Sequence, residues 1–489
     1  MHTTPGNNNE DKLKEIIRLF NQGSFVEVLE MAKSLLDQAP NNVNLLNIYG
    51  AAAAITGQFR IAEDALRCAL KIDGNNADVN NNLGNVLFRQ HKYSESSMHF
   101  ENAVTAQPEN PSFRNNLGAS LLLCDRINEA EAVLKTSISL QPSNAEAHAN
   151  MGNLCWERGN VKDAQNSYLK ALSFDPNHEQ AKVKMIRTLE SHTPGRNINL
   201  PTAIANREIR QIIIKRSSEN QITDNSVVNT LEQADSILNR YAININYPET
   251  QTYRRNQKRL NCHRHENVFH EHNIIPKFCF GCFKVQIEPR TVAELIKLFL
   301  LFDWLELDAN NSRKCMVELR DNVSGFYKGL IYCSSLAEAE TIKNTVTVLV
   351  QQSIGKDIPC NVKRGCSEFA LSYPEYGNTD CDSGSGLMNY FKEWEVIEKK
   401  YNDSHKSDRS PNSIPTLNGF SLSDFLIIKN WIGYARGVGD PSVNELSLDK
   451  IGSNRLFKSS STRKFPYPLR SKAAYIMPNT YNIKPINIG

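Results

Sequence analysis

Small and large apolar residues recur at one fixed step through the first two-fifths of the chain. Gly50, Gly84, Gly118 and Gly152 stand 34 residues apart, as do Ala62, Ser96, Ala130 and Ala164, and Ala69, Ala103, Ser137 and Ala171. Tyr49, Leu83, Leu117 and Met151 precede the glycines, and Leu66, Phe100, Leu134 and Tyr168 follow the same step. Pro108, Pro142 and Pro176 close the units, with Gly74 in the equivalent earlier place. Columns in a single register mark a repeat. Two antiparallel helices per unit account for them, because backbones approach closely only where a residue is small, and proline ends the second helix. Clear units span 43–76, 77–110, 111–144 and 145–178. A worn first unit, about 9–42, keeps Gly23, Phe25 and Pro40, and 179–190 is the expected capping helix of a 1–190 array.

Beyond 190 the period changes. SHTPGRNINLP (191–201) is punctuated by proline and glycine, and the pattern predicts helices near 202–218 and 226–241 within a linker-and-helix stretch, 191–260. From 261 to 400 an α+β domain is expected. Strand-like FKVQIEP (283–289), helical TVAELIKLFLLFDWL (291–305), strands at 313–320 and 326–334, a helix at 336–354 and an extended run at 360–374 follow in turn. That β-α-β-β-α-β order predicts a ferredoxin-like sandwich, a fold that carries many functions and fixes none. A flexible linker is expected at 401–420, then a helix over 421–437 and a polar tail within 421–489.

The 34-residue pattern over roughly 10–180 resembles the tetratricopeptide repeat, which implies an all-α solenoid that holds another polypeptide on its concave face. Asparagine recurs inside the first helices, although it is a poor helix former. Asn47, Asn81 and Asn115 form one column, Asn82, Asn116 and Asn150 the next, and Asn85 and Asn153 lie a turn onward. These columns resemble the asparagine ladder of O-GlcNAc transferase arrays, which implies amides that bind a peptide backbone, an amide being both donor and acceptor. The other reading, ordinary polar surface in an asparagine-rich chain, stays open.

Charge divides the chain. Residues 1–190 hold 18 Lys+Arg against 22 Asp+Glu, so the acidic array precedes a part with 38 against 31. A basic run of Arg254, Arg255, Lys258, Arg259 and Arg264 raises nucleic acid as a partner, with a solvated basic face as the favoured alternative. KGLIYCS (328–334) is similar to a strand of RNA-recognition motifs but keeps only Tyr332 of the base-stacking aromatics. No run is apolar enough to span a membrane and the start, MHTTPGNNNE, is polar, so a soluble cytoplasmic protein is expected.

Eleven cysteines, an odd number, argue against a disulfide framework. Cys262, His265, Cys279 and Cys282 are a candidate zinc set, because CFGC at 279–282 has the spacing of a zinc knuckle. Cys360 or Cys366 are possible substitutes, and a polar loop with structural cysteines or a redox Cys pair are the alternatives. Phosphate-loop, nucleophile-elbow and HExxH motifs are missing, and the glycines of ARGVGD (435–440) follow a helix rather than a strand. Glu288, Glu318, Glu368 and Glu375 sit near strand ends, where two of them are candidates for a pair. The expected function is a scaffold or adaptor; an enzyme whose repeats recruit a polypeptide substrate is the alternative, and a nucleic-acid-associated protein the third.

Overall fold

The computed structural model describes residues 5–196, 198–217, 221–255, 262–320, 323–379, 387–404 and 414–451. The N-terminal part is a row of helix pairs: α1 (Pro5–Asn21) with α2 (Phe25–Leu36), α3 (Val43–Ile55) with α4 (Phe59–Ile72), and α5 (Ala77–Arg89) with α6 (Tyr93–Ala106). Next come α7 (Pro111–Leu123) with α8 (Ile127–Leu140) and α9 (Ala145–Glu157) with α10 (Val161–Phe174), and α11 (Glu179–Thr188) closes the row.

Two of the sequence columns are halves of one contact. A Cβ at Gly50 would lie 2.6 Å from the Leu66 side chain, at Gly84 2.7 Å from Phe100, at Gly118 2.6 Å from Leu134 and at Gly152 2.5 Å from Tyr168. The large residue of each second helix therefore occupies the space its glycine leaves. A further column, Asn42, Asn76, Asn110 and Asn144, caps the first helices: their side chains accept backbone N–H bonds from Leu45, Val79, Phe113 and Ala147 at 3.1–3.4 Å. Each such cap stabilises its helix by about 1 kcal/mol.

The chain continues through α12 (Pro201–Ile209), α13 (Asp224–Arg240), β1 (Gln251–Arg254), α14 (Cys262–His272), the short α15 (Lys277–Phe280), β2 (Phe283–Ile287) and α16 (Val292–Trp304). Then follow β3 (Arg313–Val317), β4 (Tyr327–Cys333), α17 (Leu336–Ser353), β5 (Cys360–Arg364), α18 (Lys392–Ser404), α19 (Leu422–Val438) and α20 (Ser442–Glu445). The strands form one sheet in the order β1-β3-β4-β2-β5, every neighbouring pair antiparallel. Helix α16 packs on β3 and β4, and α17 on β2, β4 and β5.

One core joins the two parts. Tyr168 and Met185 of the array, Ile209, Val227 and Leu231 of α12 and α13, Val285 and Ile331 of the sheet, and Phe425 and Trp431 of α19 belong to a single apolar cluster. Helices α12 and α13, within 191–260, are thus packed into this core. Part of the stretch expected as a flexible linker is tied down: Leu417 N donates to Glu190 O at 2.8 Å, and Gly419 N to Asp303 Oδ2 at 2.9 Å; 405–413 lies outside the described residues.

Several boundaries differ from the pattern. The helix expected to reach 218 ends at Ile209. The extended run from 360 holds its strand only to Arg364, then turns through short 3-10 segments at Ser367–Leu371 and Pro374–Gly377. Proline favours the second of these turns by fixing its own φ. Strand β1 is an element the pattern did not mark.

Candidate peptide-binding face and cysteine cluster

The asparagine columns lie where the first helices of successive units meet. Asn82 Nδ2 donates to Asn47 Oδ1 at 2.8 Å, Asn116 to Asn81 at 2.8 Å, and Asn150 to Asn115 at 3.0 Å. Asn153 donates to Asn150 Oδ1 at 3.3 Å and accepts from the Tyr168 hydroxyl at 2.8 Å. All eight asparagines singled out from the sequence are buried, none more than 8% exposed. They are therefore neither ordinary polar surface nor a row of free amides: six of them are cross-links between units. The buried carbonyl oxygens of Asn82, Asn85 and Asn116 have no hydrogen-bond partner among the described residues.

At the C-terminal end of the array a small cleft is lined by Asn153, Trp156, Glu157, Tyr168, Lys184 and Arg187. The Arg187 guanidinium sits 5.3 Å from the Trp156 ring centroid and 3.7 Å from the Glu249 carboxylate. Burial, reinforced by Arg187, pulls the Lys184 ammonium down to about 8. The cleft thus sets Lys184 and Arg187 against the carboxylates of Glu157 and Glu249.

Among the described residues of the basic run, Arg254 is not part of a solvated face. Arg254 is buried and grips Asp424 through Nη1 at 3.0 Å and Nη2 at 2.8 Å, while its Nε lies 3.1 Å from Asp303. Arg255 donates to the Asp303 carbonyl at 3.4 Å, and Arg264 bonds Asn402 on α18. Lys258 and Arg259 lie outside the described residues. A charge run that looked like a surface is, at Arg254, the joint between β1 and α19.

Three of the strand-end carboxylates, Glu288, Glu318 and Glu368, face basic side chains. Arg320 bonds Glu318 at 2.7 Å and Glu368 at 2.8 Å, and Lys328 reaches Glu318 at 3.0 Å. Burial alone would raise Glu318, but the bonds from Arg320 and Lys328 hold it down at about 2. A carboxylate so held is a poor proton donor or acceptor near neutral pH. Glu288 accepts from Gln286 at 2.6 Å and lies 3.5 Å from Lys363.

Around the cysteines, the expected polar loop is instead helical: α14 carries Cys262 and His265, and α15 leads from Cys279 into Cys282 at the start of β2. Cys366 follows the end of β5, beside Cys282, because Phe283 pairs with Arg364. Cys279 and Cys366 are buried in one small apolar cluster, and the partly buried Cys262 packs against it. His265, placed in the zinc set from the sequence, stacks on Phe278 with ring centroids 5.1 Å apart. Cys360 pairs with Ile287 at the opposite end of β2. Among the described residues no three His, Cys, Asp or Glu side chains are already arranged as a metal shell. No helix among them is long and apolar enough to cross a membrane.

Helix pairs stacked in register, each locked by a glycine against a large apolar residue, define a helical-repeat solenoid. Residues 121–188 match a family model of the tetratricopeptide repeat, and the array is of that kind. Solved structures similar to the chain include MamA from Desulfovibrio magneticus RS-1, 19% identical, covering 36% of this chain and 99% of that one at a TM-score of 0.33. PilF of Pseudomonas aeruginosa is 19% identical over 37% of this chain and 84% of its own, with a TM-score of 0.33. YrrB, described as a tetratricopeptide protein with an unusual peptide-binding site, is 19% identical over 35% of this chain and 88% of its own, at a TM-score of 0.31. No curated protein matches the chain.

Proposed function

We propose that this protein is an interaction scaffold whose tetratricopeptide array holds a partner polypeptide along the inner faces of its first helices. The observation that carries the reading is the set of unpartnered buried acceptors at Asn82, Asn85 and Asn116. A buried acceptor without a partner costs about 1–3 kcal/mol, and backbone N–H groups of an extended peptide would satisfy these three once the first helices part enough to admit them, since the oxygens are closed to solvent in the free chain. The likeness to the asparagine columns of O-GlcNAc transferase arrays agrees with this use.

The C-terminal part, in this reading, is a ferredoxin-like sandwich with β1 added at one edge. In support, β2 and β3 flank β4 and are joined through α16, while β4 and β5 flank β2 and are joined through α17. Glu318 and Glu368 are held by Arg320 and Lys328, and in this reading the C-terminal part serves as a second contact.

Asn85 provides the cleanest test, because its carbonyl takes no part in the cross-links between units. Full-length protein is screened against a peptide array, and binders are measured by calorimetry with native protein, Asn85→Ala and Asn82→Ala. Asn85→Ala should weaken binding several-fold without lowering the melting temperature, whereas Asn82→Ala should lower both. Peptide affinity unchanged in both variants, or no binder at all, would sink the proposal.

A further inference from the structure

We propose that Cys262, Cys279, Cys282 and Cys366 are the four ligands of one zinc ion. The sheet register brings them together from three distant stretches. Gly365 N donates to the Cys282 carbonyl at 2.8 Å, and a side chain at 365 would collide with the Cys282 sulfur, so glycine is needed where β5 closes over the thiol. That closure sets Cys366 beside the CFGC turn, where Cys282 N donates to Cys279 O at 3.2 Å. Helix α14 supplies Cys262, which packs against the apolar cluster that holds Cys279 and Cys366. The donor set therefore replaces His265, which is engaged with Phe278, by Cys366.

Two independent features fit a metal here. Four thiolates around a divalent ion leave a net charge of about −2, and two buried cations flank the cluster. Lys284 bonds the Gly365 carbonyl, next to Cys366, at 2.9 Å, and Arg364, two residues before Cys366, donates to the Tyr376 and Phe280 carbonyls. The second feature is the size of the local core. Val268, Ile275, Phe369, Tyr376 and Trp394 pack with Cys279 and Cys366 in a cluster separate from the main core. It holds together α14, α15, the 3-10 turns and α18, short elements with little apolar area. Small cores of this kind gain most from a metal cross-link, whose binding free energy becomes folding free energy.

Elemental analysis of the full-length protein purified without added metal should find one zinc per chain. Cobalt exchanged into the site should give the thiolate charge-transfer absorption of a tetrahedral centre. Native protein treated with an alkylating reagent should gain four reactive thiols only after a strong chelator is added, a readout that needs no variant to fold. Cys366→Ala should lose the metal, Cys366→His should retain it, and His265→Ala and Cys360→Ala should leave it in place. The assignment is overturned by metal-free protein whose four thiols react at once, by a Cys262–Cys366 disulfide, by an iron–sulfur chromophore, or by zinc retained in Cys366→Ala.

Discussion

Asn116 donates an amide hydrogen to Asn81 at 2.8 Å, across 35 residues of sequence and one repeat of the solenoid. Both side chains are buried, Asn81 at 3% and Asn116 at 3% exposure. Truncating the donor leaves the Asn81 carbonyl buried without a partner. Asn116→Ala should therefore destabilise the folded chain by about 1–3 kcal/mol. The check is the urea midpoint of full-length protein, and an unchanged midpoint would mean that the cross-link contributes nothing.

The glycine columns make a sharper prediction, because two effects oppose each other. Alanine is the better helix former by about 1 kcal/mol, so Gly118→Ala would stabilise α7 if nothing stood in the way. A Cβ there meets Leu134 at 2.6 Å. Overpacking of this kind costs about 1–3 kcal/mol, and the substitution should be destabilising. In a Leu134→Ala background the same change should become neutral or favourable. A double-mutant cycle measures this coupling, and additive effects would reject the contact.

The array was legible because its residues answer to local neighbours at fixed spacing: Gly118 and Leu134 belong to one unit, and the columns repeat. The cap column of Asn42, Asn76, Asn110 and Asn144 carries the same 34-residue signal. Asn82 and Asn116 were legible as a column and illegible as to partner, since exposure depends on how closely successive units stack. In the C-terminal part hydrophobic runs marked β2 to β5 and their helices. Strand β1 is only four residues long, and its Arg254 reads as surface until Asp424 arrives from 170 residues away. Cys366 could not be preferred over Cys360 from spacing, because only the pairing of β5 with β2 separates them by the length of the strand.

The Arg254–Asp424 joint has its own consequence. Arg254 also lies 4.2 Å from the Phe299 ring centroid, so it ties β1, α16 and α19 together. Arg254→Met keeps much of the volume but strands a buried carboxylate. The expected loss is about 3–5 kcal/mol, the usual result of removing one partner of a buried pair. Hydrogen exchange should show α19 losing protection first. Global stability within about 0.5 kcal/mol of native, the range of ordinary surface substitutions, would show that the pair is not part of the joint.

Glu190 makes the same region pH-sensitive. It accepts a hydrogen bond from Ser423 at the seam between array and sheet, and burial together with the Asp424 carboxylate pushes its carboxyl up, from an ordinary value of 4.5 to about 7. A carboxyl whose folded-state value is raised binds its proton more tightly when folded, so its contribution is fully present below the unfolded value and fades as pH rises through the folded one. Asp424 is shifted the other way, held down by Arg254 against its own burial, so it stays ionised across this window and does not mask the effect. Native protein should lose stability between about pH 5 and 8 through Glu190. Glu190→Gln fixes a neutral side chain, so its curve should be flatter, lying above the native one at high pH and approaching it near pH 4.5. Urea midpoints across that range decide the matter: parallel curves for the two proteins would show that Glu190 ionises in the folded state as it does in the unfolded chain.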